Sequence, residues 1–294
     1  MGVACERLTG DDWDGWFVET VNDDVGFRLA LRAEGPMQRA GSAQALCVFR
    51  HRLFGRVLAL DGAIQLTERD EFVYHEMMAH VPMMAHGAAA DVLVIGGGDG
   101  GLAREVLRHR VARLTLVEID REVIDLALSE LPQVPAGAFD DPRFALVIGD
   151  GARHVAATGE RYDVVVVDAP DPVGAGAALF TEEFYHGLRR VLRPEGVLVT
   201  QSGVPFLTPD WFTGHARTLR RAFPNATFFL TTVPSYTGGP MAHGFAAGRA
   251  ATAISEEELA RRQAASGIAT RCWSPAVHRA AFALPPYIAD LCSG

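Results

Sequence analysis

Residues 92–101 read Val92-Leu93-Val94-Ile95-Gly96-Gly97-Gly98-Asp99-Gly100-Gly101, an apolar run ending in five glycines broken by one carboxylate. Glycine tolerates positive φ and lets backbone approach a ligand closely, so the stretch reads as a strand turning into a helix beside a nucleotide-type ligand. The spacing Gly96, Gly98, Gly101 fits the dinucleotide pattern, and Leu102, Val106 and Leu107 give the next segment an apolar helical face. A second strand, Arg113 to Val117, ends at Glu118, about twenty residues on, where an acidic side chain can accept two ribose hydroxyls. Asp99 narrows the ligand further. A loop that cradles phosphate would exclude an anion, whereas a cationic ligand tail would favour one.

Working outward, strand candidates follow at Ala145–Ile148, Asp163–Asp168 and Val197–Gln201. They alternate with helix candidates Arg121–Leu131, Gly151–Ala157 and Thr181–Leu192, and later strands are expected near Ala226–Thr232 and His243–Ala247. This rhythm predicts a doubly wound, Rossmann-like α/β fold with a mostly parallel sheet. Asp99, Glu118, Asp150 and Asp168 each fall just after a strand, so one crevice at the carboxyl ends should collect four acids. Ahead of residue 80 the pattern changes. Leu46–Arg50 and Arg56–Leu60 read as a hairpin, Asp61-Gly62 as another tight turn, and Glu68–His80 as a helix leading through Pro82 to His86 into the sheet. The expected division is a small N-terminal β-domain, residues 1–80 with its linking helix, and a catalytic domain, residues 81–294.

The 294-residue chain has a net charge of −9 and 49% hydrophobic residues, which suits a globular protein and offers no concentrated basic surface for nucleic acid. No apolar run approaches the ~20 residues of a membrane span and no signal-peptide pattern opens the chain, so a cytoplasmic protein is expected. The four cysteines, Cys5, Cys47, Cys272 and Cys292, lack metal-ligand spacing and read as reduced thiols. His51, His80 and His86 read as structural or surface residues.

Several long blocks carry a resemblance: FGRVLALDGAIQLTERDEFVYHEMMAHVP from Phe54, VLVIGGGDGG from Val92, VEID from Val117, DDPRFALVIGDG from Asp140, DAPDP from Asp168 and PAVHRAAFALP from Pro275. In these the chain resembles the polyamine aminopropyltransferases, most closely the bacterial spermidine synthases. The resemblance implies transfer of an aminopropyl group from decarboxylated S-adenosylmethionine, a co-substrate, to putrescine, with no metal and no prosthetic group. It implies that Asp99 holds the donor's ammonium, that Glu118 binds its ribose and Asp150 with Gly151 its adenine, and that Gln44, His75, Gly96 and Gly98 complete the donor pocket. Asp168 becomes the general base, Tyr74 and Tyr236 orient the amine, and Asp171 helps bind it. Association into a homodimer or homotetramer through the N-terminal β-domain is also implied.

The motif has departures. Ala169-Pro170 stands where relatives commonly carry Ser-Ser or Cys-Thr, and Ala175, Ala177 and Ala178 replace a proline and an acid in the following loop. Acceptors other than putrescine, such as cadaverine, agmatine or a longer polyamine, therefore stay open. So do two further readings: an S-adenosylmethionine-dependent methyltransferase, which Asp99 disfavours, and a non-catalytic polyamine-binding protein.

Overall fold

A computed structural model describes residues 15–22, 27–35, 37–40, 44–169, 174–247 and 253–293. Strands β1 (Trp16–Asn22) and β2 (Phe27–Arg32) form an antiparallel ribbon, and β3 (Gln38–Ala40), β4 (Leu46–His51), β5 (Gly55–Leu60) and β6 (Ala63–Thr67) form an antiparallel meander. The expected hairpin is β4–β5, with His51 paired to Gly55. One face of the meander buries Cys47, Phe49, Val57 and Ala59 with Phe17 of β1. The other buries Val48, Leu58 and Leu66 against Leu131 and Val134. This alternation is the period-two signature of strands covered on both sides.

Helix α1 runs from Glu71 to His86. The expected helix, Glu68–His80, is corrected at both ends: Asp70 is its N-cap, and the helix continues through Pro82, so residue 80 falls inside it. Proline normally breaks a helix by removing one backbone hydrogen bond and crowding the preceding turn. Here every residue from Tyr74 to Ala85 is buried, and that packing outweighs the local penalty.

After α1 come β7 (Asp91–Gly96), α2 (Gly101–Leu107), β8 (Arg113–Glu118), α3 (Arg121–Glu130), β9 (Phe144–Ile148), α4 (Gly151–Ala157) and β10 (Tyr162–Asp168). They are followed by α5 (Glu182–Val191), β11 (Leu192–Gln201), α6 (Pro209–Ala222), β12 (Thr227–Thr231) and β13 (Met241–Ala246). The seven strands lie in the order β12-β13-β11-β10-β7-β8-β9. All neighbours from β11 to β9 are parallel, and β13 and β12 are antiparallel additions at one edge. The doubly wound α/β reading is correct.

Along β7 the side chains alternate: Val92 and Val94 pack with α1 and α2, Leu93 and Ile95 with α4, α5 and α6. A sheet buried on both faces explains the continuous valine-rich strands. Three C-terminal helices, α7 (Glu256–Ser266), α8 (Pro275–Ala281) and α9 (Pro286–Ser293), complete the two layers and have no counterpart in the expected element list. The Gly174–Ala178 stretch, read as a loop, belongs to a 3₁₀ turn, Gly174–Phe180. Cys272 and Cys292 are free thiols, Cys47 is buried in the N-terminal sheet, and Cys5 lies outside the described residues. Among the described residues no helix is long and apolar enough to cross a membrane.

Candidate active site

Strand order reverses beside β7: the chain proceeds to β8 and β9 on one side and later to β10 and β11 on the other. Ligand crevices of open α/β sheets form at such a switch point, and the glycine turn occupies it. Gly96 has φ +82°, and a Cβ there would lie 2.0 Å from the carbonyl oxygen of Asp168. The Gly97 N–H donates to that same oxygen at 3.1 Å, tying the turn to the end of β10. The Gly98 N–H donates to Glu118 Oε2 at 3.1 Å. Gly101 opens α2 with its backbone against the His75 ring, leaving no room for a side chain.

Four side chains form a connected line through the crevice. Arg104 Nη2 donates to Glu71 Oε2 at 2.9 Å, which lies 2.6 Å from His75 Nδ1, and His75 Nε2 lies 3.3 Å from Asp99 Oδ1. Asp99 Oδ1 also accepts the Gly101 N–H at 2.7 Å. One polar atom each from His75, Asp99 and Asp168 can be chosen so that all lie within 4.8 Å of one another. Tyr74 Oη donates to Asp168 Oδ1 at 2.7 Å.

The electrostatics follow from this crowding. Burial alone would lower the His75 pKa, but the Asp99 and Glu71 carboxylates outweigh it and raise it to about 10. Burial opposes ionisation of Asp99 too, yet His75 and the Gly101 N–H hold its pKa below the usual range. Asp168 moves the other way, up to about 6, because burial and the nearby Asp99 charge exceed what Tyr74 and His75 return. Burial likewise lifts Glu118 to about 7 against three backbone N–H groups. One crevice thus holds an ionised acid and two acids close to neutral pH, the separation expected of a site that both binds charge and moves a proton.

The other expected site residues are placed as follows. Asp150 caps α4, accepting the N–H groups of Ala152 at 2.8 Å and Arg153 at 3.1 Å, and Gly151 begins that helix pressed against Ile95. The Tyr236 ring stands 6.1 Å from Tyr74, and its hydroxyl donates to the Gln65 carbonyl. Both tyrosine protons are therefore committed, and their oxygens remain as acceptors for an ammonium. Gln44 is half-buried just ahead of β4. Asp171 and Pro170 lie outside the described residues.

Sequence reasoning missed Glu71, Arg104 and Asp70. Glu71 precedes His75 by one helical turn, a spacing that could have paired them. Arg104 carries no such local signal. Asp70 accepts Thr67 Oγ1 at 2.5 Å and the Ser235 N–H at 2.7 Å, which fixes the Tyr236 segment to the start of α1.

The sequence matches the profile described as the spermine/spermidine synthase domain over residues 71–255 and that of the spermidine synthase tetramerisation domain over residues 15–68. The chain belongs to the spermine/spermidine synthase family. Within this family it is 49% identical to a polyamine aminopropyltransferase of Ruegeria sp. (strain TM1040) over 278 residues, covering 94% of this chain and 98% of the relative. It is 48% identical to the polyamine aminopropyltransferase of Klebsiella pneumoniae (strain 342) over 252 residues, covering 85% and 88%. A crystal structure of a spermidine synthase in complex with the transition state analogue AdoDATO superposes with a TM-score of 0.89 at 35% identity, covering 98% of each chain. In this aminopropyltransferase the acidic crevice lies in the synthase match, apart from Gln44 and Gln65, and the two matches meet at the N-terminus of α1.

Proposed function

We propose that this aminopropyltransferase is a spermidine synthase, transferring the aminopropyl group of decarboxylated S-adenosylmethionine to putrescine and releasing 5'-methylthioadenosine. The observation that carries the reading is the pair Asp99 and Asp168, two half-buried carboxyls beside one glycine turn with different proton affinities. The donor brings a sulfonium and a terminal ammonium. Asp99, ionised, suits the ammonium and repels the carboxylate of ordinary S-adenosylmethionine.

An alkylamine with a pKa near ~10.4 is almost wholly charged at neutral pH, and holding it neutral costs about 4 to 5 kcal/mol there. Asp168 serves as general base. As the amine nitrogen bonds to the propyl carbon, the carbon–sulfur bond breaks, its electron pair stays on sulfur, and the nitrogen's proton passes to Asp168. Tyr74 and Tyr236 accept N–H groups of the diamine and hold nitrogen, carbon and sulfur in line. Glu118 takes the ribose hydroxyls, Asp150 and Gly151 the adenine edge. Assembly into a dimer or tetramer through the N-terminal sheets accompanies this reading.

The test is product mass from decarboxylated donor with putrescine, cadaverine, agmatine and spermidine. Putrescine should give the largest kcat/KM; preference for another amine overturns the acceptor assignment. Asp99→Asn should raise the donor KM on the order of ten- to a hundredfold and narrow discrimination against S-adenosylmethionine.

A further inference from the structure

His75 stands between two carboxylates, with Nδ1 2.6 Å from Glu71 and Nε2 3.3 Å from Asp99. A neutral ring would turn a lone pair toward one of those oxygens, so this geometry calls for protons on both nitrogens. The ring is 2% exposed and seated on the Gly101 backbone, which prevents it from rotating away. The charged groups around it are Glu71 on its own helix, Asp99 in the glycine turn, Arg104 on α2 behind Glu71, and Asp168 at the end of β10, with the Tyr74 hydroxyl on Asp168.

That arrangement conflicts with the ligand assigned to Asp99. If the donor's ammonium binds Asp99, as the proposed function requires, two cations would crowd one carboxylate whose Oδ1 already accepts the Gly101 N–H. Resting on that reading, we propose that donor binding expels the Nε2 proton of His75, and that Glu71 is the positioning residue that permits this by retaining the Nδ1 proton. The Nε2–H bond leaves its electron pair on the ring, the proton goes to the buffer, and the neutral ring accepts an N–H of the ammonium beside Asp99. Arg104 fixes Glu71 through both carboxylate oxygens, at 3.2 and 2.9 Å. The ring thereby keeps one tautomer, the arrangement by which a carboxylate orients an imidazole toward a cation. His75 thus converts from counter-ion to ligand, and the cost of losing its proton is set by Glu71.

The experiment is calorimetric binding to the full chain at pH 7.5 in three buffers of different ionisation enthalpy, without amine. Decarboxylated S-adenosylmethionine is compared with 5'-methylthioadenosine. Both carry the ribose that faces Glu118, so any proton released there cancels, and only the donor carries the ammonium. The acids Asp99 and Asp168 keep that ammonium charged, so the excess proton comes from the ring. The donor should release about one proton more than methylthioadenosine. Glu71→Gln should reduce that excess and raise the donor KM on the order of tenfold with the amine KM unmoved. Equal release by the two ligands in a wild-type enzyme that binds donor and turns over overturns this proposal alone. Failure to bind donor at all overturns it together with the proposed function.

Discussion

The Tyr74 hydroxyl donates to Asp168 Oδ1 at 2.7 Å, joining a buried phenol to a half-buried carboxyl. The bond favours the carboxylate, while burial and Asp99 disfavour it, and the balance leaves Asp168 at about 6. In the proposed role of general base it must be ionised. The kcat/KM for the amine should therefore rise with pH through about 6, separately from the far higher limb of the amine itself. Tyr74→Phe removes a stabilising donor and should move the acid limb upward while lowering kcat on the order of tenfold or more. A pH–rate profile of the two proteins checks this; a limb that stays in place removes Asp168 as the titrating group.

The same carboxyl makes a prediction about stability. A folded-state pKa raised from 3.8 to about 6 means that the native protein binds this proton more tightly than the unfolded chain. Its contribution is complete below pH 3.8 and is lost as pH rises through about 6, so at neutral pH ionised Asp168 works against folding. Asp168→Asn should raise stability at pH 7.5 by roughly 1–3 kcal/mol while lowering kcat by about 10²–10⁴. Urea unfolding at pH 7.5 and pH 4.5 should show the gain shrinking at the lower pH.

Gly96 separates backbone geometry from side-chain chemistry. Its φ of +82° and the 2.0 Å approach of the Asp168 carbonyl leave an added methyl no free direction. Gly96→Ala should cost about 2–4 kcal/mol of stability and weaken donor binding, since both the turn and the end of β10 must shift. By contrast Gly149 meets nothing within 4 Å and its φ is ordinary, so Gly149→Ala should stay within about 0.5 kcal/mol of wild type. Thermal unfolding of the two variants distinguishes a steric role from mere flexibility.

What the sequence disclosed, and what it hid, divides by range of interaction. The strand ends carrying Glu118 and Asp168, and the glycine turn between β7 and α2, are written in local pattern, because alternation and turn chemistry act over a few residues. The Pro82 helix defied its local signal, since burial along α1 outweighs one lost hydrogen bond. Glu76 shows the same limit. It is buried and accepts N–H groups of Arg271, Cys272 and Trp273, almost two hundred residues away, which no spacing rule announces. The Arg104–Glu71–His75–Asp99 line likewise exists only once α2 lies against α1.

The helix that carries Arg104 is itself anchored by Glu105, which is 3% exposed. Its carboxylate lies 2.6 Å from Arg108 Nη1, 2.9 Å from Arg104 Nε and 3.0 Å from His80 Nε2. Burial would raise its pKa, but His80, Arg104 and Arg108 pull it to about 2. A depressed carboxyl stabilises the fold above its unfolded value of 4.5, and that contribution disappears as pH falls through about 2. Stability should therefore decline steeply below pH 4.5, and less steeply in Glu105→Gln. Glu105→Ala should cost about 1–3 kcal/mol, because it leaves the buried His80 Nε2 and the half-buried Arg104 Nε without their acceptor. Arg104 also holds Glu71, so the alanine variant should raise the donor KM while leaving the amine KM near wild type. Unfolding curves from pH 2.5 to 7, paired with steady-state kinetics, separate the two effects. A variant as stable as wild type at pH 7 would show that His80 and the two arginines find other partners when the carboxylate is removed.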